Sequence, residues 1–179
     1  TKRTEQIENI IKKYLPEEEG YQKQVIEAMN YSFLAGGKRL RPMLMLETYR
    51  MFGGKSEVIE PFMAAIEMIH TYSLIHDDLP AMDNDELRRG KATNHVVFGE
   101  SMAILAGDGL LTTAFECLGQ TSISAKTKCT LMSMLAFAAG PQGMVNGQVG
   151  DIENEGVKLT LPQLRNVHAQ KTGALLRYA

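Results

Sequence analysis

The chain has little cysteine and almost no net charge. Its 179 residues include two cysteines, Cys117 and Cys129, which are neither closely spaced nor part of a metal-ligand pattern. A disulfide framework and a cysteine-ligated metal are therefore excluded, and a reduced, cytoplasmic chain is expected. The formal net charge of −2 argues against nucleic acid as the main partner, although local basic clusters can still bind small anions. Polar residues interrupt every apolar run before membrane-spanning length, so no stable membrane anchor is expected. There is no convincing strand pattern, internal repeat or low-complexity linker. The start, Thr1-Lys2-Arg3-Thr4, has neither a signal-peptide pattern nor an initiator methionine and reads as trimmed.

What is present is helical periodicity, in a chain that is 44% hydrophobic and long enough for one core. The fold class expected is all-α, a helical bundle forming a single domain over residues 1–179. Ile7, Ile10, Ile11 and Leu15 make one apolar stripe that stops near Pro16. Further helices are predicted over 17–34, from Pro42 to Phe52, from Pro61 to Asp77, over 101–118, over 124–139 and over 142–151. The last starts at Thr160-Leu161-Pro162, where Thr160 suits an N-cap and Pro162 a first turn. The longest irregular piece runs from Leu79 to about His95, and long loops in compact helical domains usually carry function.

That piece opens with Asp77-Asp78-Leu79-Pro80-Ala81-Met82-Asp83-Asn84-Asp85-Glu86 and continues with Leu87-Arg88-Arg89-Gly90-Lys91. Acids this dense repel one another unless they share cations, and arginines beside them suit a phosphorylated ligand. Six residues separate Asp77 from Asp83, about 240° around an ideal helix, so a regular helix would point them apart. Pro80 should end the helix near Leu79 and let a loop return Asp83 towards Asp77. Magnesium takes hard oxygen ligands, few of them from protein, and completes its shell with water and phosphate. The competing reading is a solvated acidic loop at a helix end.

Gly36-Gly37-Lys38-Arg39-Leu40-Arg41-Pro42 is a second constellation. Cations follow two glycines at a helix start, where free N–H groups already favour anions. A C-cap followed by a solvated basic turn is the alternative. His70 precedes Asp77 by seven residues and shares nearly its helix face, about 10 Å away. His76 has no such relation and reads as an ordinary core residue. Gly147-Gln148-Val149-Gly150-Asp151 and Lys171-Thr172-Gly173 are weak signals by themselves.

Together these segments resemble the trans-prenyltransferases, the isoprenyl diphosphate synthases. Gly36 to Pro42 matches the GGKRxRP segment. His70 to Gly90 looks like the first aspartate-rich motif of the bacterial farnesyl diphosphate-forming members. Lys91 to His95 resembles its continuation, with Ala92 where proline or leucine is common. Gly147-Gln148 with Asp151, and Lys171-Thr172-Gly173, follow in the family's order. Glu86 departs from the usual aspartate, and the family's second aspartate-rich motif does not occur before Ala179. By this resemblance the bundle surrounds a deep cavity and lacks its C-terminal part, and the chain alone is expected to be inactive.

The resemblance also implies roles. The reaction is head-to-tail condensation of isopentenyl diphosphate with an allylic diphosphate, dimethylallyl or geranyl, giving farnesyl diphosphate. The cofactor is magnesium, Mg2+. Asp77 and Asp83 hold the metal, with Asp78 in support. Arg88 and Lys171, with Thr172 and Gln148, bind the allylic diphosphate. Lys38, Arg41, His70 and Arg89 hold isopentenyl diphosphate. Tyr72, the fifth residue before Asp77, is implied to limit product length, whereas ideal helix geometry would nominate Ser73. The assembly implied is a homodimer. Three alternatives stay open: a geranylgeranyl or longer-chain synthase, a terpene cyclase, and a non-catalytic partner subunit. The separate basic cluster favours two diphosphate sites over the cyclase's one.

Overall fold

The computed structural model describes Lys2 to Ala179, which fall into two compact units, one ending at Thr121 and the other spanning Ser122–Ala179. The first unit contains α1 (Lys2–Ile11), α2 (Lys23–Phe33), α3 (Leu40–Met51), α4 (Glu60–Asp77), α5 (Asn94–Phe98) and α6 (Glu100–Gly119). A two-stranded hairpin, β1 (Leu87–Arg88) and β2 (Lys91–Ala92), lies between α4 and α5. The second unit contains α7 (Ala125–Ala139), α8 (Met144–Glu153), α9 (Leu161–Lys171) and α10 (Gly173–Tyr178).

α4 is the axis of the first unit, and it packs against α1, α2, α3 and α6. It is buried nearly all round, with Met63, Ala64, Ala65, Ile66, Met68 and Ile69 fully enclosed. A helix apolar on every face belongs in a core. Pro61 starts it without cost, because a first-turn N–H needs no helical partner. Its main neighbour, α6, buries Ala103, Ala106, Gly107, Leu110 and Ala114, spaced to line one face. Small side chains there let the two backbones approach closely.

Arg39 ties the other helices to this axis. Its guanidinium is 3% exposed and donates to Glu67 Oε1 at 2.8 Å, to Glu8 Oε1 at 3.2 Å and to the Phe33 carbonyl at 2.7 Å. One side chain thus links α1, α2 and α4, and its buried charge is matched by carboxylates, as burial demands.

Three sequence expectations need correction. α2 starts at Lys23, not near Glu17, because Gly20 turns the chain at φ 72° ahead of it. The stretch expected to lack strands contains the β1–β2 hairpin, formed because Arg89 and Gly90 both take positive φ, the signature of a two-residue type I′ turn. The segments Glu57–Asp77 and Glu100–Gly119 are long and apolar enough to cross a membrane, despite their polar interruptions. In the first, 61% of the apolar window is buried within the protein itself.

In the second unit Ser124 caps α7 by accepting from the Thr127 N–H at 3.1 Å. Thr160 and Gln163 form a capping box at α9, as the Thr-Leu-Pro start suggests. α8 and α9 touch through backbone at Gly147, where a Cβ would lie 2.2 Å from the Lys171 nitrogen. Only glycine fits that position.

Candidate diphosphate and metal site

Asp77 is the last residue of α4, and Asp78 is its C-cap. Pro80 follows at once and the helix stops. The loop then folds back on the helix end. The Asp83 N–H donates to the Asp77 carbonyl at 2.8 Å, Asn84 to Leu79 at 3.1 Å and Asp85 to Asp78 at 3.2 Å. Asn84 accommodates the reversal at φ 53°. The backbone of Asp83 therefore lies against that of Asp77, as the proline predicts.

Asp78 has a separate task. Its side chain is 4% exposed, and Arg88 clasps it through Nε and Nη2. This hydrogen bonding holds the Arg88 guanidinium above its usual range, aided by the charges of Asp78, Asp77 and Asp85 and opposed by burial. Thr93 secures the far side of the loop, donating its hydroxyl to the Asp85 carbonyl at 2.7 Å and its N–H to the Glu86 carbonyl at 2.9 Å.

The basic constellation gathers around His70. Burial, then the charges of Arg41, Arg89, Arg88 and Arg39, push the imidazole down to about 3. It is neutral near pH 7. Arg41 and Arg89 are both pulled below the usual guanidinium range, chiefly by burial. The Arg41 Nε is buried without a hydrogen-bond partner. Arg89 donates to the Gly36 carbonyl, and a Cβ on Gly37 would lie 2.6 Å from its Nη1. Gly37 is thus needed for Arg89 to approach. Lys38 is exposed at the edge of this region. Such a group of cations, with one donor left unsatisfied, suits a multiply charged anion.

Tyr72 is 9% exposed, and its ring meets that of His76 edge to face, with centroids 5.7 Å apart. The Ser73 hydroxyl turns back to the His70 carbonyl at 2.8 Å. His76, read from sequence as an ordinary core residue, is part-exposed. Its Nε2 lies 3.0 Å from the Ile104 carbonyl and 3.9 Å from Asp108 Oδ1. The i,i+4 spacing from Tyr72 was the sequence signal for this ring pair.

In the second unit Lys171 Nζ pairs with Asp151 Oδ2 at 2.5 Å. Gln148 Nε2 is buried without a partner, and Thr172 is exposed at the C-cap of α9. The Gly147–Asp151 and Lys171–Gly173 motifs thus come together. A concavity of about 800 Å³ in this unit, lined by Met134, Phe137, Ala138 and Tyr178 among others, contains none of the candidate metal- or diphosphate-binding residues.

Residues 22–179 match the polyprenyl synthetase family model. The chain belongs to the polyprenyl synthetase family. It is 54% identical over 176 residues to a farnesyl diphosphate synthase of Geobacillus stearothermophilus, covering 97% of this chain and 59% of that relative. It is 50% identical over 156 residues to a chloroplastic geranylgeranyl pyrophosphate synthase of Catharanthus roseus, covering 86% of this chain and 44% of that one. Among solved structures, an apo FPP/GFPP synthase from Zymomonas mobilis superposes with a TM-score of 0.91 at 41% identity, covering 99% of this chain and 65% of that chain. This polyprenyl synthetase chain therefore spans less than two thirds of these relatives. The all-helical fold expected from sequence agrees with that of its structural neighbour.

Proposed function

We propose that the chain serves the condensation of isopentenyl diphosphate with an allylic diphosphate, dimethylallyl or geranyl, to give farnesyl diphosphate. The observation that carries this reading is the juxtaposition, along one helix, of two unlike surroundings. Neutral His70 sits among arginines with the Arg41 Nε unsatisfied, and the carboxylate loop of Asp77 and Asp83 closes the end of the same helix. The first suits a diphosphate directly. The second suits a diphosphate with metal.

The donors fit magnesium. Asp77 and Asp83 offer hard oxygens from a loop closed by a 2.8 Å backbone hydrogen bond. Among the described residues no group of three or more His, Cys, Asp or Glu could hold a metal alone. Magnesium takes its remaining ligands from water and substrate. Bound magnesium would supply Lewis-acid stabilisation of charge on the departing diphosphate.

The side chains of the protein have distinct parts. Asp78 orients Arg88 towards the allylic diphosphate. In the second unit, Lys171, Gln148 and Thr172 are the diphosphate-binding residues by the same reading. Lys38, Arg41, His70 and Arg89 hold isopentenyl diphosphate, with His70 as a neutral imidazole that orients without adding charge. The allylic carbon–oxygen bond breaks to give diphosphate and an allylic cation, the isopentenyl double bond attacks that cation, and the adduct then loses a proton to the released diphosphate. Apolar surroundings exclude the water that would otherwise capture the allylic cation. Tyr72, not Ser73, limits the growing chain, because the serine hydroxyl is turned onto its own helix.

The family match runs through both compact units, which supports one prenyltransferase domain over residues 1–179. Exposed Val96, Val97, Ile104 and Leu105 on α5 and α6 support a homodimer. The free thiols of Cys117 and Cys129 support a cytoplasmic setting. The second aspartate-rich motif is not in this sequence, so residues 1–179 alone are proposed to be inactive.

The test is magnesium-dependent incorporation of labelled isopentenyl diphosphate with dimethylallyl or geranyl diphosphate as acceptor. It is run on residues 1–179 and on a full-length prenyltransferase containing them. A fifteen-carbon product from the longer protein supports the reading. No incorporation there, or cyclic hydrocarbon from geranyl diphosphate alone, rejects it.

A further inference from the structure

α4 and α6 meet where one helix has a gap and the other a ring that fills it. The gap is Gly107. A Cβ there would lie 2.1 Å from His76 Nε2, 2.5 Å from Cδ2 and 2.8 Å from Cε1, so no larger residue is compatible with the ring as it sits. The imidazole is held there by its Nε2, which donates to the Ile104 carbonyl at 3.0 Å, one turn earlier on α6. That contact selects the tautomer with the proton on Nε2.

The same ring faces Tyr72. His76 follows Tyr72 by four residues on α4, so the two share a helix face. Their rings are 5.7 Å apart at 77°, the edge-to-face arrangement that aromatic pairs favour. A tyrosine ring swings about two bonds, and its position is set by the groups that enclose it. Here one of those groups is His76, and the place of His76 depends on the missing side chain of residue 107.

We infer that His76, seated in the gap at Gly107, is a positioning residue that sets product length through Tyr72. The inference rests on the proposed role of Tyr72 as the ring that stops elongation. His76 touches neither substrate in this scheme. It acts by denying Tyr72 the alternative positions that would open space for another five-carbon unit. Gly107 is then a specificity-determining position on a helix that carries none of the diphosphate-binding residues.

The experiment uses a full-length prenyltransferase containing this sequence, with His76→Ala, Gly107→Ala, Tyr72→Ala and the double variant His76→Ala/Tyr72→Ala. Products from dimethylallyl and isopentenyl diphosphates are separated after phosphatase treatment. His76→Ala should raise the share of products of twenty carbons or more roughly threefold to tenfold, the range an edge-to-face pair supports. Gly107→Ala should act in the same direction. In the double variant, His76→Ala should add nothing to the effect of Tyr72→Ala. A crystal structure of His76→Ala should show the Tyr72 ring displaced or in more than one position.

An unchanged product from folded His76→Ala, with lengthened product from Tyr72→Ala, overturns the inference and leaves the Tyr72 role intact. No change in either variant removes both. Lengthening by His76→Ala that persists in the double variant shows that His76 does not act through Tyr72, and also overturns it. If Gly107→Ala does not fold, His76→Ala, which introduces no overlap, carries the test.

Discussion

Arg88 grips Asp78 with two nitrogens: Nε lies 2.9 Å from each carboxylate oxygen, and Nη2 lies 2.6 Å from Oδ1. The second aspartate of the acidic run is thereby committed within the protein. It fixes the direction of a guanidinium, whereas Asp77 and Asp83 are the carboxylates proposed above to hold metal. The loop is an acidic cluster whose members differ in task.

Removing Arg88 strands a buried carboxylate. A fully buried pair costs about 3–5 kcal/mol when one partner is lost. The Arg88 side chain is 32% exposed, so the loss should fall below that range. Urea unfolding of Arg88→Ala, Asp78→Asn and the double variant measures the coupling. The double variant should be more stable than the sum of the single losses predicts. Simple additivity would show that the clasp carries no energy.

Asp77→Ala should lower turnover by about 100- to 1000-fold, the scale for loss of one group that stabilises developing charge. Binding of isopentenyl diphosphate should change much less, because it does not require that charge. Steady-state kinetics over a magnesium series in the full-length enzyme separates the two effects. Near-normal turnover would remove Asp77 from the metal site.

Arg41→Ala should raise KM for isopentenyl diphosphate by about tenfold or more, since a charge-assisted contact is worth roughly 1.5–3 kcal/mol. KM for the allylic substrate should move far less. Equal changes for both substrates would argue that the basic cluster is not a separate site.

His70 should report both anion binding and acid stability. Its folded value of about 3 lies below the ordinary 6.5, so between these values the unfolded chain binds the extra proton. Stability from this residue is therefore present above pH 6.5 and is lost as pH falls towards 3. His70→Gln should flatten that part of the stability profile. Inorganic pyrophosphate should raise the His70 value, because a bound anion offsets the arginine charges that hold it down. Imidazole NMR shifts across a pH titration, with and without pyrophosphate, measure both. A His70 that titrates near 6.5 in the free protein would contradict the buried, cation-ringed setting.

The helices were legible because their signals are local. Pro61, Pro80, Ser124 and Thr160 mark ends through properties of single residues, and the fold-back of Asp83 follows from the helix stop at Pro80. The contacts that sort the site residues were not legible. Arg88 reaches Asp78 across a hairpin whose turn requires a non-glycine residue, Arg89, at φ 54°, and no common preference announces that. Gly107 reads as one more small residue in α6 until the His76 ring is seen against it. In the basic run, Arg39 and Arg41 look alike as letters. Burial against Glu67 and Glu8 marks Arg39 as the tie between helices, whereas the Arg41 Nε is left without a hydrogen-bond partner.

The turn at Arg89-Gly90 gives two adjacent arginines different addresses. Arg88, the last residue of β1, faces Asp78, while Arg89 at the bend reaches back to Gly36. A single peptide unit thus works as a fixed spacer between the acidic and the basic neighbourhoods. Lengthening or shortening that bend by one residue would exchange the faces to which the guanidiniums point, as a slipped strand exchanges its two sides. The tolerance of this chain to change should therefore be lowest in a piece of backbone that touches no reacting atom.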